Sequence, residues 1–172
     1  MAPHSKRIAS DSNIATRPPE EIARMLKLEK GLGFLVRLLH TRALTLYDQL
    51  TGQDEITPRQ FGVLLTLHQQ GTLTLTELAR HVRVDRSTLS EMVNRMAERA
   101  LIAKRGNGND RRSAEVSITP SGEAALLRVV RGAARLQSAL LAPLPSQDRV
   151  HFMRCIETMA KLPFPTEGTG DA

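Results

Sequence analysis

Apolar residues recur at steps of three or four along most of the chain, which places them on one face of an α-helix. The first such stripe begins after Pro18 and Pro19, which suit a helix start, and continues to Thr51. Its members are Ile22, Met25, Leu28, Leu32, Leu35, Leu39, Ala43, Leu46 and Leu50. Gly31 and Gly33 interrupt the stripe. The pattern therefore predicts one long helix, bent or closely packed near these glycines.

Five further helices follow, and each begins near a residue that can cap a helix N-terminus. The predicted N-caps are Thr57, Thr74, Asp85, Thr119 and Ser146. Glu77, three residues after Thr74, completes a capping box. Gly71 ends the second helix and Pro143 ends the fifth.

Two short runs predict β-strands, LIAKR from Leu101 and AEVSIT from Ala114. The polar loop between them, GNGNDRRS, has the glycine, asparagine and aspartate that are typical of a hairpin turn. The predicted fold class is mainly α with a small β-hairpin wing. The order of helices and hairpin is that of a winged helix-turn-helix with six helices.

The amino-acid composition indicates the type of core, the kind of partner and the cellular compartment. Only four Phe and one Tyr are present, without Trp, so the core is expected to be aliphatic. The net charge of +6 suits a nucleic acid or an anionic metabolite, and the alternative is a solvated basic surface. One cysteine excludes an internal disulfide and fits a reducing compartment. With no signal-like N-terminus and no run near the ~18 residues of a membrane span, we expect a cytoplasmic protein without a membrane partner.

The third and fourth predicted helices are candidates for reading double-stranded DNA, because a helix in this arrangement fits the major groove. The outer face of the fourth helix carries Ser, Thr and Asn, which favour base edges and phosphates over a plain solvated face. At the hairpin tip, arginines can enter the minor groove beside an orienting aspartate. The predicted DNA-binding residues are Thr76, Arg86, Ser87, Thr88, Ser90, Glu91, Asn94, Arg95, Arg105, Asp110, Arg111 and Arg112. The alternatives are an ordinary amphipathic helix and a plain hairpin turn.

The segments ITPRQFGVLLTL, LTELARHVRVDRSTLSEMVNRMAERALIAKR and NDRRSAEVSITPSGEAAL resemble the multiple-antibiotic-resistance regulator (MarR) family, over roughly Leu28 to Leu162. The resemblance implies a winged-helix transcription factor, usually a repressor, that binds a palindromic operator as a homodimer. It also implies that the first, fifth and sixth helices intertwine. Glu91 departs from the family pattern, which commonly has a basic residue there. A carboxylate at that position can accept from a cytosine amino group, so base preference is left open.

The predicted dimer also has a physical reason. The apolar stripes on the first, fifth and sixth helices exceed what a small winged core needs to cover, and the alternative is that they complete a monomeric core. The predicted domains are a disordered arm (1–18), a dimerisation helix (19–52), the winged helix-turn-helix (53–119), C-terminal dimerisation helices (120–163) and a flexible tail (164–172).

The resemblance further implies an effector pocket between the first two helices and the winged core. Candidate residues are Arg37, His40, Thr41, Tyr47, Phe61 and His68. The net charge and Arg37 suggest an anionic effector, either an aromatic acid or its CoA thioester, as in family branches that control aromatic-acid degradation. The alternative for Arg37 and His40 is a solvent-facing role.

The sequence gives little support for redox sensing, metal binding or catalysis. Cys155 lies among apolar residues and is expected to be a buried structural thiol rather than a redox sensor. No metal site is predicted, because His4, His40, His68, His81 and His151 are scattered, without a short-range His/Cys pair. No phosphate loop, nucleophile elbow or HExxH motif occurs, so we expect neither an enzyme nor a cofactor. A winged-helix protein-interaction module without specific DNA binding is the remaining alternative.

Overall fold

The computed structural model describes residues 16–52, 56–106 and 114–161. Within them the helices are α1 (Pro19–Met25), α2 (Leu32–Thr51), α3 (Pro58–Gln70), α4 (Leu75–Val82), α5 (Arg86–Glu98), α6 (Pro120–Leu141) and α7 (Ser146–Ala160). The strands are β1 (Leu73–Thr74), β2 (Ile102–Arg105) and β3 (Glu115–Ile118). The chain forms two compact units, residues 1–42 and 43–172, and the division falls within α2. None of the described helices has the length and apolar character needed to span a bilayer.

The mainly helical winged fold is confirmed, but the helix count of six is wrong. The first predicted helix is divided into α1, a 3-10 turn at Leu28–Lys30 and α2. Leu26 and Lys27 adopt extended backbone angles, with ψ of 131° and 112°, and Gly31 is extended at ψ 128°. α1 and the turn bury no side chain, so tertiary packing does not stabilise helical backbone there.

Side-chain capping sets the start of four helices as predicted. Thr57, Thr74, Asp85 and Thr119 each accept a hydrogen bond from a backbone N–H three residues later. Gln60 and Glu77 complete capping boxes by accepting from the N-cap backbone. The prediction for Ser146 is wrong, because Pro145 holds the N-cap position and Ser146 is the first helical residue.

The core of residues 43–172 is aliphatic, as the composition predicts. It joins α3, α4, α5 and α6 to the sheet. The most deeply buried side chains are Val63, Leu64, Leu67, Leu78, Leu89, Val93, Met96, Val116, Leu126 and Val129. This packing fixes α5 against α4 and leaves its other face to solvent.

The sheet contains one strand more than the predicted hairpin. Its order is β1-β3-β2, and both pairings are antiparallel. Leu73 pairs with Val116, and Lys104 pairs with the same residue from the other side. Because β1 leads directly into α4, the sheet ties the hairpin to the first helix of the helix-turn-helix.

Candidate nucleic-acid interface

The connection between α4 and α5 is a tight turn of three residues, 83–85. Arg83 adopts the left-handed conformation (φ 52°), and its N–H donates to Ala79 O. Val84 N donates to the same carbonyl at 3.3 Å. A left-handed residue after a helix reverses the chain while satisfying a terminal carbonyl, so this turn sets how the two helices cross.

Asp85 organises the first turn of α5. Its carboxylate accepts from Thr88 N at 2.8 Å and from the Ser87 hydroxyl at 2.6 Å. These bonds, with that of the Ser87 hydroxyl the strongest, hold the pKa of Asp85 well below its usual range. Ser87 therefore presents only acceptor lone pairs outward in this arrangement, and its hydroxyl must rotate away from Asp85 to donate to a phosphate.

The predicted polar face of α5 points to solvent. Arg86, Ser87, Glu91, Asn94 and Arg95 are exposed, and Thr88 and Ser90 are half-buried. The opposite face, formed by Leu89, Met92, Val93 and Met96, is buried. The flanking candidates Thr76 and Arg105 are also exposed. The predictions for Asp110, Arg111 and Arg112 lie outside the described residues.

The structure adds one residue that the sequence did not single out. Lys104 on β2 donates through Nζ to Asn94 Oδ1 at 2.7 Å, which joins α5 to the base of the hairpin. Because an ammonium group only donates, the amide oxygen of Asn94 faces Lys104 and its NH₂ group remains for donation elsewhere. In the sequence, this contact was indicated by the short connection between α5 and β2, because that connection keeps Asn94 and Lys104 close in space.

Tyr47, a predicted effector residue, is 2% exposed. Its hydroxyl oxygen is buried and has no hydrogen-bond partner among the described residues. Burial, with a smaller contribution from Asp48, raises the pKa of Tyr47 to about 12. The ring of Phe61 lies edge-on to Tyr47 with centroids 6.2 Å apart, so these two candidates are adjacent.

The other effector candidates have different surroundings. His68 Nδ1 lies 3.3 Å from Glu123 Oε1 on α6. In the unit of residues 1–42, the Arg37 guanidinium lies 4.9 Å from the centre of the Phe34 ring. The Thr41 hydroxyl donates to Arg37 O at 3.1 Å, and His40 is exposed.

Cys155 contradicts two predictions. It is exposed rather than buried, because α7 buries none of its side chains within the single chain. Its Sγ lies 3.6 Å from Nε2 of His151, one helical turn away, so a short-range His/Cys pair does exist. Within the described ranges, no group of three or more His, Cys, Asp or Glu side chains is arranged to hold a metal.

Comparison with known proteins identifies this arrangement. Residues 56–114, which include α3, α4, α5 and β2, match the MarR family model. The transcriptional repressor MdtR of Bacillus subtilis is 30% identical over 93 residues, covering 54% of this chain and 60% of MdtR. The repressor NicR of Pseudomonas putida is 27% identical over 128 residues, covering 74% of this chain and 81% of NicR.

A solved structure extends the likeness beyond the matched segment. BpsR of Bordetella bronchiseptica, whose DNA binding is regulated by 6-hydroxynicotinic acid, superposes with a TM-score of 0.72 at 25% identity. The match covers 80% of this chain and 99% of BpsR. These relatives are transcriptional regulators and not enzymes. The chain therefore has the winged helix-turn-helix fold of these regulators, and its residues 56–114 are similar to the MarR family.

Proposed function

We propose that the protein is a ligand-responsive repressor that binds a palindromic DNA operator as a homodimer. A small anionic effector, an aromatic acid or its CoA thioester, releases it from the operator. The observation that carries the proposal is the exposed polar face of α5, held by the Asp85 cap beside the β2–β3 hairpin.

The dimensions of α5 and its exposed arginines support groove binding. Thirteen residues at 1.5 Å each give a helix of about 20 Å, which suits insertion into a major groove. Arg86 and Arg95 are exposed on this helix and can contact phosphates, while Glu91 and Glu98, also exposed, leave the helix itself without net charge. Thr76 and Arg105, on neighbouring elements, are proposed to contact phosphates. Arg111 and Arg112 are proposed to reach the minor groove, with Asp110 orienting one guanidinium.

Exposed apolar side chains support the homodimer. In the unit of residues 1–42 they are Met25, Leu26, Leu28, Leu32, Leu35, Val36, Leu38 and Leu39. On α7 they are Val150, Ile156 and Met159. Large apolar side chains grouped on a surface are typical of an interface between proteins. A symmetric pair would bind two half-sites about one helical turn apart.

Tyr47 supports an effector site. Its buried hydroxyl lacks a hydrogen-bond partner among the described residues, which destabilises the fold, and a ligand oxygen would supply one. Phe61 beside it offers an apolar contact for a ring. Arg37, His40, Thr41 and His68 remain proposed effector residues.

Gel-shift titration with a selected duplex tests the proposal. Combined Arg111→Ala and Arg112→Ala substitutions should weaken binding to A·T-flanked sites by about 1–3 kcal/mol and leave the dimer intact. Unchanged affinity would reject the wing assignment. If the unaltered protein retains no duplex, the repressor hypothesis is wrong, and a protein-interaction module without specific DNA binding becomes the better explanation.

A further inference from the structure

The exposed face of α5 has a central line and two flanks. At about 3.6 residues per turn, Ser87, Glu91 and Asn94 lie on the line directly opposite the buried face. Arg86 and Arg95 lie on either side of that line. A helix in a major groove directs its central line towards the base edges and its flanks towards the phosphates. Asn94 is therefore placed to contact a base.

The position of Lys104 beside Asn94 is set by the connection between α5 and β2. Ala100 has a positive φ of 54°, and Leu101 N donates to Met96 O at 3.0 Å. This arrangement closes a helix C-terminus and sets the direction of the chain that follows. β2 then pairs with β3, and Lys104 Nζ donates to Asn94 Oδ1 at 2.7 Å. The backbone therefore holds the ammonium group next to the amide oxygen.

This hydrogen bond changes which base Asn94 can recognise. Asparagine usually recognises adenine through two bonds, because its oxygen accepts from N6 while its NH₂ group donates to N7. With the oxygen of Asn94 occupied by Lys104, only the NH₂ group is available, and the adenine amino group would be left without a partner. Guanine instead presents two acceptors, O6 and N7, and the nearby ammonium charge favours the same edge.

We propose that Lys104 makes Asn94 specific for guanine instead of adenine, so that each operator half-site carries a guanine opposite Asn94. Lys104 is then a positioning residue, which contacts the amide and no base. Glu91, one turn before Asn94 and also exposed, accepts from an amino group and so suits the cytosine of the same or the adjacent base pair. This specificity rests on the proposed function, because it concerns the sequence that the same surface binds.

The test is selection of duplexes from a random pool by the full chain. Asn94→Ala identifies the contacted position, because the preference is lost there. At that position the unaltered protein should select guanine, and Lys104→Met should select adenine, since the oxygen of Asn94 is then free. Between two duplexes that differ only there, the affinity ratio should change by about tenfold in favour of adenine. Lys104→Arg should keep guanine, and so should Lys161→Met, which removes the same charge at the end of α7.

A base other than guanine in the unaltered protein, or other than adenine in Lys104→Met, would overturn the proposal. An equal loss of affinity for both duplexes in Lys104→Met would also overturn it, because Lys104 would then contact a phosphate. Only if the unaltered protein enriches no duplex does the proposed function fail as well. NMR without DNA gives an independent measurement, in which the side-chain carbonyl carbon of Asn94 should shift more in Lys104→Met than in Lys104→Arg. No shift in Lys104→Met would contradict the hydrogen bond.

Discussion

At the residue scale, the helix caps could be predicted from the sequence, whereas the burial of individual side chains could not. Asp85 and Thr74 reach backbone N–H groups three residues away, so sequence spacing alone identifies the bond. The Tyr47 hydroxyl has no hydrogen-bond partner within the described part of the chain, and this depends on the elements around it, which no local pattern encodes. The burial predicted for Cys155 was wrong for the same reason, since α7 presents its apolar side chains outside the single chain.

Asp85 should make stability depend on pH. Its folded-state pKa is depressed, so its contribution is present above the ordinary aspartate pKa of about 3.9 and is lost as pH falls through the folded value. Asp85→Asn retains an acceptor for Thr88 N without the charge, and its melting temperature should lie below that of the unaltered protein at pH 7. Thermal denaturation from pH 7 downward should show this gap narrowing below about pH 5. A gap that widens in acid would contradict the assigned cap.

Tyr47→Phe should stabilise the free protein and weaken effector binding. The buried hydroxyl has no close hydrogen bond among the described residues, and Thr51 compensates only in part for its desolvation, so removing it should raise the free energy of unfolding by up to about 1 kcal/mol. Urea denaturation measures this, and calorimetry with aromatic acids measures binding. A less stable Tyr47→Phe variant would show that the hydroxyl already has a partner.

At the element scale, helix positions followed from periodicity, whereas helix continuity and close contacts did not. The stripe through α2 continues across Leu26 and Lys27, yet the backbone leaves the helix there because nothing is buried against it. β1 is only two residues long and exists through pairing with β3. Such elements depend on tertiary partners that a local pattern does not contain.

Gly132→Ala should destabilise the contact between α6 and the end of α2. A Cβ at Gly132 would overlap the backbone carbonyl of Leu50, which cannot move as a side chain would. We expect a loss of about 1–3 kcal/mol in chemical denaturation. Gly33→Ala is the control, because its Cβ meets nothing and alanine favours a helix. Equal stability of the two variants would contradict this contact.

The Lys104–Asn94 hydrogen bond should couple α5 to the wing. A double-mutant cycle with Lys104→Met and Asn94→Leu should give a coupling energy of about 0.5 kcal/mol, since the pair is exposed. Asn94→Leu should also alter the operator sequences selected from a random pool. Strict additivity would mean that the contact contributes nothing.

At the scale of the whole molecule, the central claim is that a symmetric pair of these chains binds duplex DNA through α5. The apolar side chains exposed on α1, α2 and α7 are what a partner copy would cover. The sequence predicted that these stripes are longer than a small winged core can cover, although the first is interrupted by extended backbone at Leu26 and Lys27. It could not predict which side chains stay exposed, because that depends on how the elements of the chain pack.

The most direct measurement is the salt dependence of duplex binding, followed by fluorescence anisotropy from about 50 to about 200 mM salt. A dimer that neutralises six or more phosphates should give a log–log slope of roughly −5 or steeper. Arg95→Gln should make that slope shallower by about 2, for two copies, whereas Arg131→Gln on the exposed side of α6 should not change it. A slope near zero, or equal effects of the two substitutions, would contradict DNA binding through α5.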